Sequence, residues 1–350
     1  SEDVPYVFVK TVEYTGNSLK RINNMITFYR NLFPVAREYA KTHGKPDVIL
    51  ASSVHPLTLV AGIKIARKFR VPCICEVRDL WPETLVAMGR IRRNSIPARL
   101  LYALEKYIYR YADRLIFTFE GGADYVEGIG LDSSKVRYIN NGIDLKQFHE
   151  NKLNYIYSDA ALDDKGTFKV IYTGSMGQAN ALHYLVEAAQ IIQNKGIEDI
   201  KFILFGDGYQ RGELERYVKV NNLSNIYFKG RVEKKYIPGI LDKGNLNVFT
   251  GQHIPLYKYG LSLNKMFDYL ASGKPIVSNI ECGYDILEKY QCGITVQGGS
   301  PESLAKGILE FYNMPKREYE TYCKNAVLAA EDYDFKTLTD KLEKAILEVG

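Results

Sequence analysis

The sequence predicts an α/β protein of two doubly wound, parallel-sheet domains, and three observations carry that prediction. Short apolar runs alternate with helical stretches along most of the chain, one polar and poorly periodic stretch divides the alternation, and glycine-rich loops follow strands in the second half. With 350 residues, 46% hydrophobic and 25% charged, the chain is long enough to bury two cores.

In the first half the rhythm starts after Pro46. DVILAS reads as a buried strand, LTLVAGIKIARKF as a helix, VPCICEV as a second strand, Ile96–Ala112 as a long helix, and RLIFTF and KVRYIN as further strands. The stretch from Gln147 to Gly166, QFHENKLNYIYSDAALDDKG, interrupts the pattern before TFKVIYTG resumes it. The expected division is therefore an N-terminal domain over residues 1–150 and a C-terminal domain over 151–330, with a closing segment over 331–350.

The second half places strands near Lys169 to Thr173, Lys201 to Phe205, Asn225 to Phe228, Leu246 to Thr250, Pro275 to Ser278 and Gly293 to Val296, with helices between them. Open parallel sheets bind ligands beyond the carboxyl ends of their strands, so the loops there are the candidates. Gly174-Ser175-Met176-Gly177-Gln178-Ala179-Asn180 follows the first strand and opens a helix, where glycines let the backbone come close to a diphosphate. Gly206-Asp207-Gly208-Tyr209 follows the second strand and Phe228-Lys229-Gly230-Arg231 ends the third.

The segment Gly260 to Pro275, GLSLNKMFDYLASGKP, reads as one short helix with two chemically different faces. Phe267, Leu270 and Ala271 fall together on an apolar face, while Lys265, Asp268 and Ser272 line up on a polar one. Ser262 or Asn264 is the expected cap at its start, Gly273 suits a left-handed residue after its end, and Pro275 stops it. Free amides with Lys265 in the first turn suit a phosphate, and Asp268 one turn later suits a sugar diol. An ordinary amphipathic helix with a solvated lysine and aspartate has the same pattern, so this segment alone leaves both readings open.

No apolar run reaches the length of a membrane span, and the first residues, SEDVPYVFVK, lack a signal-peptide pattern. Cys73, Cys75, Cys282, Cys292 and Cys323 form no CxxC pair and are expected to be reduced thiols. Residues 1–150 hold 22 Lys or Arg against 16 Asp or Glu, and residues 151–350 hold 24 against 25, so the excess positive charge lies in the first half. That asymmetry fits either an anionic partner, such as phospholipid or a lipid diphosphate, or simply solvated basic residues; no nucleic-acid partner is expected. No carboxylate or histidine cluster has metal-ligand spacing, and Asp332-Tyr333-Asp334 is taken as incidental. The loop at Gly206 lacks the glycine spacing of a dinucleotide fingerprint, and Phe228-Lys229-Gly230-Arg231 lacks its acidic residue, which ranks a dehydrogenase low.

Taken together, GSMG, FGDG, FKGRV, NKMFDYLASGKPIV and a closing helix after Tyr333-Asp334-Phe335 resemble the C-terminal domain of retaining family-4 glycosyltransferases of the GT-B fold. ASSVHPLT, EVRDLWPE and NNGID extend the resemblance to the first half, toward the subgroup that builds bacterial capsule and O-antigen polysaccharides. The resemblance implies two Rossmann-like domains facing across a cleft, a closing helix over 331–350 that crosses back to the N-terminal domain, and a metal-independent, cofactor-free hexosyl transfer. Its donor-binding residues fall on Gly174, Ser175, Gly177, Gly206, Asp207, Arg231, Ser262, Asn264, Lys265 and Asp268. The family's helix usually carries two glutamates seven residues apart; Asp268 takes the second position and Gly260 the first. Many members flank the glycine loop with an arginine and a lysine, where this chain has Ser175 and Asn180, so more of the diphosphate's charge is left to Lys265 and the backbone amides.

In the first half the family's His-Asp strand end becomes Arg78-Asp79, followed by Leu80-Trp81-Pro82-Glu83. The expected catalytic residues are Lys265, Asp79 and Arg78, with His55, Trp81 and Glu83 on the acceptor side, although Arg78-Asp79 reads equally as a structural ion pair. Leu19–Tyr39 and Ile96–Ala112 interleave basic and apolar residues, as either a membrane-surface face or core helices with snorkelling stems; the first is the better membrane candidate and the second reads first as a core helix. The resembling proteins open with a further strand, glycine-rich loop and helix, which is expected to be missing here. The implied function is transfer of a sugar, an N-acetylhexosamine or deoxysugar, from a UDP-sugar donor to a polyprenyl-diphosphate-linked glycan acceptor, in the cytoplasm at the inner membrane surface. A UDP-sugar 2-epimerase and a non-catalytic nucleotide-sugar-binding subunit are the alternatives.

Overall fold

The structure is a computed structural model that describes residues 4–14, 19–52 and 55–350. The chain separates into two compact units: residues 1–139 with 341–350, and residues 140–340. The division falls at the end of a strand rather than in the polar stretch from Gln147 to Gly166, because the turn at 140–143 already packs with the second unit. There Asn140 donates to the Leu261 carbonyl, and Ile143 bridges to Asp334. The polar stretch itself holds two helices, Leu145–Asn154 and Ala160–Asp163, the second capped by the Asp159 carboxylate.

In the first unit, β1 (Ile49–Ser52), β2 (Cys73–Val77), β3 (Arg114–Phe117) and β4 (Val136–Tyr138) form one parallel sheet in that order. Ile74, Cys75, Leu115 and Phe117 are fully covered, as strands sandwiched between helices must be. Helix Pro56–Phe69 begins with a proline, which needs no amide partner there, and buries Leu59, Val60, Ile63 and Ala66. All five cysteines are free, and the Cys73 and Cys75 sulfurs lie 3.9 Å apart on one face of β2. Glu348 bridges Arg114 at 3.0 Å and Arg137 at 2.7 Å, so the last turn of the chain is fastened to this sheet.

The second unit is a six-stranded parallel sheet of β5 (Phe168–Thr173), β6 (Ile200–Phe205), β7 (Ile226–Gly230), β8 (Leu246–Phe249), β9 (Ile276–Ser278) and β10 (Gly293–Thr295). Its order, β10-β9-β8-β5-β6-β7, is that of a doubly wound sheet: growth runs outward from β5 on one side, then restarts beside β5 on the other. Val170, Tyr172, Phe202, Leu204, Leu246, Val248 and Val277 supply the sheet's part of one continuous core with helices His183–Asn194 and Pro301–Tyr312. A crevice lies beyond the carboxyl ends of β5, β6 and β7, and the chemistry-bearing loops meet there.

Candidate functional site

The crevice is built by backbone first. Gly174 donates to the Phe205 carbonyl at 3.0 Å, Gly206 to the Gly230 carbonyl at 2.7 Å, and Met176 to the Asp207 carbonyl at 2.8 Å, which stitches the loops after β5, β6 and β7 side by side. Gly206 has φ +134, and a Cβ there would lie 1.7 Å from the Gly174 carbonyl oxygen; only glycine allows the two loops to touch. The β6–β7 register shifts between Leu204 and Phe205, so Phe205 pairs with Gly230 as the strands reach the crevice.

The fourth wall is helix Asn264–Ala271. Met266, Phe267, Tyr269, Leu270 and Ala271 are buried, and Gly273 takes φ +65 after its end. The cap differs from the expected one: the N-cap is Leu263, which has no side-chain acceptor, because the Ser262 hydroxyl already accepts from Asn141 at 2.8 Å and Asn264 sits inside the first turn. The polar row is also shorter than expected. Ser272 accepts from Asn247 at 2.9 Å and donates to the Tyr269 carbonyl, which fixes it to β8, and only Lys265 and Asp268 reach the crevice.

The resulting cavity, of about 900 Å³, is lined by Gly174, Ser175, Gly206, Asp207, Arg231, Asn264, Lys265 and Asp268 of the expected donor set. Gly177 and Ser262 do not line it: Gly177 precedes a short 3-10 turn held by the bond from the Gln178 amide to the Tyr209 hydroxyl, and Ser262 faces Asn141. Thr173, Phe205, Val232, Glu233, Lys234 and Ile237 complete the lining. The rule that ligands collect beyond strand ends points to Val232–Lys234, since they follow β7 directly; Ile237 gives no signal of its own.

Electrostatically the cavity is unusual for its two central groups. The Lys265 ammonium donates to the Asn180 amide oxygen at 2.6 Å and the Tyr172 hydroxyl at 3.1 Å, both neutral, and no carboxylate among the described residues pairs with it. Desolvation alone pulls its pKa down to about 8. Across one helical turn, desolvation pushes the Asp268 carboxyl up to about 6, opposed by the nearby Lys234 cation. A lysine and an aspartate half-withdrawn from water, without each other as partners, form a site that lacks an anion on one side and a hydrogen-bond donor on the other.

The first unit holds the remaining expected residues. Arg78 and Asp79 are exposed after β2, no ion pair joins them among the described residues, and desolvation, countered by Arg78, raises the Asp79 carboxyl from its usual value. His55 is buried edge-on against Phe28, its Nδ1 has no hydrogen-bond partner, and burial followed by the Arg21 charge lowers its pKa. Part of its motif, at residues 53–54, lies outside the described residues. Glu83 is committed structurally: it accepts from the Tyr102 hydroxyl and pairs with Arg93. Trp81 is half-buried in the tight turn where its amide donates to the Asp79 carbonyl. Asp332 accepts from the Tyr290 hydroxyl and Asp334 from the Leu145 amide, consistent with an incidental acidic pair.

Comparison with known proteins agrees with this architecture. Residues 167–314 match the family model "Glycosyl transferases group 1" and residues 4–142 match "Glycosyl transferase 4-like domain", so the two models together match most of the chain. A probable glycosyltransferase, WbjE of Pseudomonas aeruginosa, is 23% identical over 271 residues, 75% of this chain and 66% of its own length. The UDP-Gal:alpha-D-GlcNAc-diphosphoundecaprenol alpha-1,3-galactosyltransferase of Escherichia coli is 26% identical over 289 residues, 80% of this chain and 67% of its own. The chain thus spans about two thirds of the length of these curated relatives. Among solved structures, Anabaena HepE in complex with UDP superposes with a TM-score of 0.69 at 18% identity, covering 91% of this chain and 83% of HepE. Sucrose-phosphate synthase from Thermosynechococcus elongatus gives 0.71 at 18% identity, covering 96% and 80%. The fold is GT-B.

Proposed function

On the premise that this chain belongs to the GT-B glycosyltransferases, we propose that it is a retaining transferase that moves an N-acetylhexosamine or deoxysugar from a UDP-sugar to a polyprenyl-diphosphate-linked glycan, in the assembly of a bacterial surface polysaccharide. The observation that carries this reading is the cavity at the carboxyl ends of β5, β6 and β7, where a glycine loop, an ammonium without an anion and a half-buried carboxylate meet. A nucleotide sugar carries the matching groups, a diphosphate and a ribose diol. The name of the Escherichia coli relative supports a lipid-diphosphate acceptor, and solved complexes of HepE with UDP support the nucleotide.

In this reading the bond between the anomeric carbon and the β-phosphate oxygen breaks, an acceptor hydroxyl forms the new bond, and negative charge grows on the departing diphosphate. Lys265 and the Ser175 amide stabilise that charge, in the role that positive groups preorganised at a leaving group play generally; the Gly174 and Met176 amides, expected to share it, are instead taken by the Phe205 and Asp207 carbonyls. Asp268 accepts from the ribose hydroxyls, and Asp207 and Arg231 border the nucleoside. Arg78 and Asp79 keep the catalytic role expected of them. The reading requires no metal or cofactor, because Lys265 supplies the charge. Work at the inner face of the cytoplasmic membrane fits Ile96 and Leu100, 75% and 67% exposed, which stand beside Arg92, Arg93 and Arg99; no helix among the described residues is long and apolar enough to cross a membrane.

Calorimetric titration of UDP, GDP and NAD, with Asp268→Ala as control, tests the site. The expected outcome is UDP binding that the variant loses by about tenfold or more, the loss of a hydrogen bond to a charged group. NAD binding that survives Asp268→Ala would instead indicate a dehydrogenase.

A further inference from the structure

The ammonium in the cavity does not come from the glycine loop it serves. Lys265 stands in the first turn of the helix after β8 and reaches across to the loop after β5: a Cβ placed on Gly174 would lie 3.2 Å from its Nζ. What holds it there is a small neutral network. Asn180, at the far end of the loop, accepts from the ammonium through Oδ1 at 2.6 Å and donates through Nδ2 to the Ser175 hydroxyl at 2.9 Å. Tyr172 accepts from the ammonium at 3.1 Å, lies under it with the ring centroid 4.6 Å away, and donates its own hydroxyl proton to the Ser175 carbonyl at 2.7 Å. Asn180 is itself fixed, because its carbonyl accepts from the Thr250 hydroxyl at 2.5 Å.

Every acceptor in this network is neutral, so the network orients the cation without cancelling its charge. An aspartate at position 180 would orient the same ammonium equally well and leave nothing for a phosphate to neutralise. The amide is therefore the informative choice. Its oxygen aims the lysine, and its nitrogen holds Ser175, a residue of the cavity wall, in the same stroke.

We infer that Asn180 is a positioning residue that holds the Lys265 ammonium against the glycine loop as the counter-charge for a nucleotide's terminal phosphate, and that the charge, not the element supplying it, is what the site requires. This rests on the nucleotide-binding reading above. Since the Asn180 amide oxygen and the ammonium are one hydrogen bond apart, a lysine at 180 can place its own ammonium where that of Lys265 stands.

The test uses the whole chain with UDP and uridine as probes, titrated by calorimetry for the wild type, Asn180→Ala, Lys265→Met and the double variant Asn180→Lys with Lys265→Met. A charge-assisted contact of this kind corresponds to roughly a 10- to 100-fold change in affinity. Lys265→Met is expected to weaken UDP by about 100-fold and Asn180→Ala by about tenfold, while uridine, which has no phosphate, binds each variant as it binds the wild type; these figures are of the same order as that range. The double variant is expected to regain UDP affinity to within a few-fold of the wild type. UDP affinity unchanged in Lys265→Met or in Asn180→Ala overturns the inference, as does a double variant no better than Lys265→Met alone. Equal losses for uridine and UDP also overturn it, since they mark a merely structural role. Wild-type protein that binds no UDP, or binds it regardless of Asp268, overturns the site reading itself and this inference with it. Thermal melts identify any variant that fails to fold, and Lys265→Arg, which keeps the charge, then replaces Lys265→Met: retained UDP affinity supports the inference and a full loss overturns it.

Discussion

The two units of this chain are built from the same parts and differ in the order of their strands. The sheet of the first unit runs β1-β2-β3-β4, each strand beside its predecessor, whereas the second restarts beside β5. That restart sets β5 between β6 and β8, and the 900 Å³ cavity is lined by the loops after β5, β6 and β7 and by the helix that follows β8. In the first unit a basin of about 670 Å³ lies at the amino ends of β2 and β3 instead, lined by Arg67, Arg70, Arg110 and Asp113 among others. Strand order, more than residue composition, decides which end of a parallel sheet becomes a site.

If that is right, changes at the restart should cost most. Gly206→Ala drives a Cβ into the Gly174 carbonyl and strains a backbone at φ +134, so it is expected to abolish UDP binding and destabilise the second unit by about 3 kcal/mol or more, read by calorimetry and denaturant unfolding. A variant that keeps both affinity and stability would break the comparison.

The next effect sharpens it through protons. The Lys265 pKa is lowered from 10.5 to about 8 in the folded state, so the cost of desolvating its ammonium is fully present below pH 8 and is relieved as the pH rises toward 10.5. Stability without ligand should therefore increase from pH 8 upward through this group. UDP affinity should move the other way, falling up to about tenfold between pH 7 and 9 as the counter-charge disappears, with Lys265→Arg flattening the profile. Affinity independent of pH across that range in the wild type would remove Lys265 from the phosphate.

The smallest effect belongs to the first unit. Glu83→Gln removes an ion pair with the largely exposed Arg93 and weakens the bond to Tyr102, for an expected loss of about 0.5–1 kcal/mol in thermal unfolding and no change in UDP affinity. A loss of UDP binding would mean that the units do not divide their labour as their sheets suggest.

Much of this was legible in the sequence, for reasons that separate cleanly. Parallel strands buried on both faces advertise themselves as continuous apolar runs, and all six strands of the second unit lie where TFKVIYT, KFILF, NIYF, LNVFT, PIVS and GITV place them. The loop residues Gly174, Gly206, Asp207 and Arg231 and the helix residues Lys265 and Asp268 were legible because position after a strand and helical spacing are local properties. The cap at Ser262 was not, because Asn141, distant in sequence, competes for that hydroxyl. Ser272 failed similarly: its spacing placed it with Lys265 and Asp268, but β8 offered it Asn247. Tyr172 and Asn180 became visible as partners of Lys265 only once the strand, the loop and the helix were brought together. Side chains with one local solution can be read from sequence, and those with two competing partners cannot.

The fastening of Glu348 to Arg114 and Arg137 has a consequence in time as well as in space. A ribosome makes the first unit's sheet before any of the second unit exists, yet residues 341–350, which belong to that first unit, emerge only after residues 140–340. The first unit, begun before the second, is thus completed after it. Throughout the making of the second unit, two arginines on β3 and β4 wait for a carboxylate that has not yet been translated.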